Sequence, residues 1–290
     1  MTECLKHQFW HFYLAQQTGE AFQAIYSNVN HAQDAFVGFW DVVSKYFQNT
    51  SGVLAYELLN EPWVGDIFHQ PRLLEPKEAD RKNLQPLYDR LNSVIRSNDP
   101  DRIIMFEPAV IISQFFESGL HHSPGGETFN NRSILSYHVY CADFNSTGPK
   151  SRAVCDALDE EAMLVRMKDL GRLKCGGFLS EFGAMSNDTS AEEEITYVTS
   201  LADEYIQSWT YWQFKTYNDI TTQAYTGNVS AESFYAEDGS LEMNKVKALS
   251  RTYAPAIAGT PTWHFFNAHN AMFELHYKAN KVCYKMHRCY

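Results

Sequence analysis

The sequence predicts an α/β fold built on a parallel sheet, and two observations carry that prediction. Five short apolar strands alternate with amphipathic helices along most of the chain, which is the pattern of a parallel α/β sheet. The strands are near-continuous apolar runs, as expected where helices cover both faces of the sheet. Most of them also end in a polar or charged residue, the position that carries the active site in (β/α)8 barrels. With 290 residues, 44% of them hydrophobic, the chain has the length of one barrel or two smaller domains.

The elements follow in order. Ala32, Phe36, Phe39, Trp40, Val43 and Phe47 recur at helical spacing over residues 31–48. Asn49-Thr50-Ser51-Gly52 stops that helix, Val53 to Leu59 reads as a strand, and Pro62 cannot extend a ladder. Leu84, Leu87, Leu91, Val94 and Ile95 form the stripe of the next helix, with Pro86 at a start or kink. Arg102 to Phe106 and Ser133 to Tyr140 are strands. Residues 157–172 are a charged amphipathic helix, and Gly176 to Ser180 is a strand. Residues 190–207 are a helix whose acidic first turn suits the positive end of its dipole. Trp209 to Phe214 is the last strand of the series, and residues 241–253 read as its final helix. After Gly259-Thr260-Pro261, two runs (Trp263–Phe266 and Met272–Tyr277) read as antiparallel strands opening a small β domain. The expected domains are 1–255 and 256–290.

The net charge of -11 argues against nucleic acid or an anionic membrane as the main partner. No segment reaches the roughly 20 apolar residues that span a bilayer. The N-terminus has no apolar h-region, so the chain as written carries no signal peptide. Yet Asn-x-Ser/Thr sequons stand at Asn49, Asn131, Asn145, Asn187 and Asn228, which suits a secreted or lysosomal parent. Cys141 and Cys155 flank a polar loop and are a candidate disulfide, one that would contribute about 3 kcal/mol by the chain-entropy model. Cys175 reads as a buried free thiol. The structure of the tail that carries Cys283 and Cys289 is left open.

The chemistry lies at three strand ends. Leu58-Leu59-Asn60-Glu61-Pro62 and Phe178-Leu179-Ser180-Glu181-Phe182 each end an apolar run in a carboxylate. Two such carboxylates can serve as the acid/base and the nucleophile of glycoside hydrolysis. Glu61 is the expected acid/base, its pKa raised by a neighbouring carboxylate, and Glu181 the expected nucleophile. The blander alternative for Glu61 is a punctuated strand end, and for Glu181 a surface carboxylate on a loop; their pairing in one series argues against both. Asn60 can donate to a sugar 2-hydroxyl. His138 and Tyr140 share a strand face; Tyr140 can donate to the nucleophile, and His138 to the acid/base or the sugar. The blander alternative is a satisfied core His beside a packed Tyr. Trp212 can stack on a pyranose, while core packing fits Trp209 better. Gln213 and Lys215 can reach sugar hydroxyls. Glu57 reads as a structural group, buried with a partner. His121-His122 lacks metal-ligand spacing, and no metal or organic cofactor is expected.

Asn60-Glu61-Pro62, His138-Val139-Tyr140, Glu181-Phe182-Gly183 and Tyr211-Trp212 together resemble glycoside hydrolase family 5. Tyr56 to Trp63, Leu135 to Cys141, Tyr211 to Lys215 and the aromatic stretch from Phe9 to Tyr26 resemble its endoglycoceramidases. The resemblance implies a retaining hydrolase that cuts between an oligosaccharide and ceramide in glycosphingolipids without a cofactor. Glu61 would be acid/base and Glu181 nucleophile, with Asn60, His138, Tyr140 and Trp212 holding the glucose. The family's barrel has eight strands, and strands four to eight are the five placed here. An Asp-x-His-Gln-Asp run of the third strand is absent. The expectation is therefore an incomplete (β/α)8 barrel, followed by the start of a small β-sandwich, from a chain truncated at both ends that is poorly stable and weakly active or inactive. Three other readings stand: a family-5 glucanase, a β-glucosidase acting on glucosylceramide, and a non-catalytic glycolipid-binding remnant.

Overall fold

A computed structural model describes residues 9–280 apart from 111, 142–151, 184, 186, 188, 216–231 and 237. Cys4, Cys283, Cys289 and the sequons at Asn145 and Asn228 lie outside the described residues. Asn49, Asn131 and Asn187 are exposed.

The chain enters through α1 (Gln16–Tyr26) and α2 (Ala32–Phe47). On α2, Trp40 and Ser44 face inward, while Phe39, Val42 and Tyr46 point to solvent, so one of the stripe's expected apolar positions, Phe39, is exposed. Five parallel strands follow: β1 (Ala55–Glu57), β2 (Ile103–Phe106), β3 (Ser133–Val139), β4 (Gly176–Phe182) and β5 (Ser208–Trp209). They pair strictly in chain order. The connecting helices are α3 (Gln85–Asn98), α4 (Ile112–Phe115), α5 (Arg152–Leu173) and α6 (Thr189–Glu204).

Helix α3 shows why the pattern was legible. Leu87, Tyr88, Leu91 and Ile95 sit on one face and are fully buried, the i, i+4 geometry of a core-facing stripe. Pro86 occupies its first turn. A π-helical turn, Asp80–Leu84, precedes it. Ile104, Phe106, Leu135, Tyr137, Val139, Leu179 and Phe182 fill the sheet interior. Two apolar clusters result, one under β1, β2 and α1–α3, the other between β3, β4, α5 and α6.

Three elements are shorter than the sequence predicts. β1 keeps only three residues, because beyond Glu57 the chain turns away toward Glu61, whose φ is 41°. The strand expected over 209–214 reduces to β5 plus an isolated bridge between Gly183 and Trp212. The helix expected over 241–253 is α7 (Met243–Leu249); the turn at Ser250 and Pro255 beyond it end the helical path. The expected antiparallel pair is present as β6 (Gly259–Asn267) and β7 (Met272–Ala279). It is held to α6 by the pairing of Asp203 with Arg251 and with His264 at 2.9 Å.

Candidate active site

Every group of the site leaves the same end of the sheet. Glu61 follows β1, Glu107 follows β2, His138 and Tyr140 end β3, Glu181 ends β4, and Trp212 lies beyond β5. A register shift in β3 between Tyr137 and His138 sets His138 directly beside Glu181. One ligand-type atom each from Glu61, His138 and Glu181 lies within 4.8 Å of the other two.

His138 is the hub. Its Nδ1 is 2.9 Å from Glu61 Oε1, 3.4 Å from Glu181 Oε2 and 3.8 Å from Glu107 Oε1. Burial alone would lower its pKa, but the surrounding carboxylates push it up to about 10. Tyr140 donates to Glu181 Oε2 at 2.9 Å, and Tyr13 donates to Glu61 Oε2 at 2.7 Å. Burial and the adjacent carboxylates raise both phenols well above their ordinary value, so they remain donors.

The charge balance departs from expectation. Burial acts to raise the Glu61 pKa, but the hydrogen bond and charge of His138, aided by Tyr13, bring it below the usual carboxylate value. Glu181 is raised, burial outweighing the opposing His138 and Tyr140. The sequence pointed to a raised Glu61; the imidazolium at 2.9 Å reverses that.

The remaining site candidates scatter. Asn60 is exposed on the rim. Trp212 donates from Nε1 to Glu232 Oε2 at 2.9 Å, and Gln213 reaches the same oxygen at 3.4 Å. The Trp212–Gln213 peptide is cis. Lys215 is exposed, and no contact among the described residues ties it to the carboxylates. Trp209 packs edge-on against Phe182 in the second core cluster. Glu57 is half-buried, and its Oε1 has no hydrogen-bond partner. It therefore lacks the expected partner at that oxygen and instead clusters with Glu107 and His138. Cys141 and Cys155 are joined, with Cα atoms 5.3 Å apart. Cys175 is a partly buried free thiol, its pKa pushed up to about 11 by burial. His122 hydrogen-bonds the carbonyl of Ser123 and lies near Asp89, outside any metal-type cluster among the described residues.

Three residues went unread in the sequence. Glu107 precedes a proline at a strand end, as Glu61 does, which was an available signal. Tyr13 sits in the aromatic stretch before the first strand with nothing local to mark it. Glu232 lies 20 residues beyond the Trp212 that it holds.

The Cellulase (glycosyl hydrolase family 5) model matches residues 10–218. An endoglycoceramidase of Hydra vulgaris is 36% identical over 97% of this chain and 50% of its own length. One from Cyanea nozakii is 33% identical over 97% of this chain and 52% of its own. The chain thus spans about half the length of these curated relatives. Endo-glycoceramidase II from Rhodococcus sp., solved as a lactosyl-enzyme intermediate and with ganglioside GM3, superposes with TM-scores of 0.66 and 0.67 respectively. Each match has 20% identity and covers 84% of this chain and 51% of that one.

Proposed function

The chain belongs to glycosyl hydrolase family 5, and from that premise we propose that it is a retaining glycosidase cleaving between oligosaccharide and ceramide in glycosphingolipids. The observation that carries the reaction class is the Glu61–His138–Glu181 cluster, with one atom of each group within 4.8 Å of the others. Retaining pairs stand about 5–5.5 Å apart, and inverting pairs leave room for a water at about 6.5–9.5 Å. The substrate class is supported by relatives named endoglycoceramidase and by the solved GM3 complex.

In the first step a Glu181 oxygen attacks the anomeric carbon while Glu61 gives its proton to the glycosidic oxygen. The carbon–oxygen bond to ceramide breaks, and ceramide leaves as an alcohol. In the second step Glu61 takes a proton from water, whose oxygen attacks the same carbon and releases Glu181 as a carboxylate. The Tyr140 hydroxyl at 2.9 Å suits Glu181 as the group that leaves ionised. The lowered pKa of Glu61 suits its base role in the second step. Its acid role requires the hydrogen bonds from His138 and Tyr13 to give way when a substrate enters. Within the same reading, the five strands correspond to strands four to eight of a (β/α)8 barrel, and the β6–β7 pair to the opening of a β-sandwich.

Incubation with a ganglioside bearing a fluorescent ceramide tests this. Labelled free ceramide together with intact oligosaccharide is the expected product. Hydrolysis only of glucosylceramide would favour a β-glucosidase, and hydrolysis only of cello-oligosaccharides a glucanase.

A further inference from the structure

Glu107 is 3% exposed, yet it is not an idle core group. Its Oε2 accepts the backbone N–H of Glu61 at 2.7 Å. Glu61 has φ 41°, a left-handed conformation that a residue with a Cβ rarely adopts. The loop after Glu107 is fastened on several sides. Tyr88 donates to the Glu107 carbonyl at 2.7 Å. Asp80 accepts from the N–H groups of Ala109 at 2.8 Å and Gly119 at 2.6 Å. Val110 donates to the Pro62 carbonyl at 3.0 Å, joining the exits of β1 and β2. Such a frame can hold one backbone amide in a strained turn.

Resting on the glycosidase reading, we propose that Glu107 is a positioning residue for the reaction: its buried carboxyl group fixes the turn at Glu61, aims the Glu61 carboxylate toward His138 and Glu181, and shares the charge of His138. The ionisable groups around it are Glu57 and Glu61 at the first strand, His138 on the third, Arg166 on α5, Tyr88 on α3 and Tyr13. Burial pushes the carboxyl up to about 8, so near neutrality it is largely a neutral group beside a cation.

Two variants separate position from charge. Glu107→Gln keeps an oxygen for the Glu61 amide but carries no charge; Glu107→Ala keeps neither. Two aryl glycosides of the accepted sugar are compared, one with a 2,4-dinitrophenyl leaving group that departs unprotonated and one with a poor leaving group that needs an acid. Glu107→Ala is expected to lose about 100-fold in kcat on the poor leaving group, the scale of a lost general acid, and under about 10-fold on the activated one, with KM nearly unchanged. Glu107→Gln is expected to retain turnover on both. In the same variant the imidazole titration of His138, followed by 15N NMR, is expected to move down, since His138 titrates near 10, where Glu107 with its pKa of about 8 is ionised, and that anion has been removed. Equal losses on both glycosides, together with an unmoved His138 titration, would overturn the proposal. If the parent chain cleaves neither glycoside, the glycosidase reading fails by itself. The NMR comparison then still decides whether Glu107 and His138 are coupled, and an unmoved titration overturns the proposal there too.

Discussion

One imidazole sets the charge of this site. His138 faces three carboxylates within 3.8 Å and draws Glu61 down while Glu107 stays high. Linkage turns this into a stability profile. Glu107 titrates near 8 when folded and near 4.3 when unfolded. The native state therefore binds a proton that the unfolded chain releases. Its contribution is full below the unfolded pKa and is lost as pH rises through 8. His138 has the same sign, with stability present below about 6.5 and lost as pH rises through 10. Glu61 runs the other way, contributing above its unfolded value and losing that contribution in acid. The melting temperature is expected to fall between about pH 5.5 and 8.5, and less in Glu107→Gln. A flat or rising profile by calorimetry would show that these groups are not buried as described.

At the scale of elements, the helices were legible because burial imposes a 3.6-residue period, as Leu87, Leu91 and Ile95 on α3 illustrate. Strand positions were legible from apolar runs, but strand ends were not. β1 stops at Glu57 because the following turn serves Glu61, and β5 stops at Trp209. Glu61, Glu181, His138 and Tyr140 could be proposed from the sequence because each ends its own strand. Glu107 also ends a strand before a proline but went unread, whereas Tyr13 and Glu232 carry no local mark; the contacts of these three lie 46, 48 and 20 residues away. Gly183 shows how closely the exits of β4 and β5 fit: a Cβ there would lie 2.0 Å from the Trp212 carbonyl oxygen. The Trp212 backbone N–H also donates to the Phe182 carbonyl at 2.9 Å. Gly183→Ala is expected to displace Trp212 and lower kcat/KM by about 10- to 100-fold, the scale of an ångström-level misplacement. Steady-state kinetics and tryptophan emission would read it; unchanged values in both would contradict the packing.

For the whole molecule, the described sheet is open, with β1 and β5 at its edges. Trp40 donates to the Leu58 carbonyl at 3.3 Å, and Tyr26 to that of Trp63 at 2.6 Å, covering part of the first exit. Exposed edges invite pairing between chains. Expressed alone, the 290-residue chain is expected to unfold over a broad range at modest temperature and to associate as concentration rises. Reducing the Cys141–Cys155 bridge should cost about 3 kcal/mol further. A sharp, concentration-independent transition at high temperature would contradict the open-sheet description.

In the proposed reaction Glu181 attacks carbon while Glu61 moves the proton, against the resting charges of the two groups. The most direct measurement is mass spectrometry of peptides after exposure to a 2,4-dinitrophenyl 2-deoxy-2-fluoro-lactoside. The fluorine slows hydrolysis of the glycosyl-enzyme, so the sugar stays on its nucleophile. The expected result is one lactosyl adduct on the peptide bearing Glu181, absent from Glu181→Gln. An adduct on Glu61 would reverse the assignment of the two carboxylates, and turnover of the unfluorinated glycoside with inverted stereochemistry and no adduct would contradict it altogether.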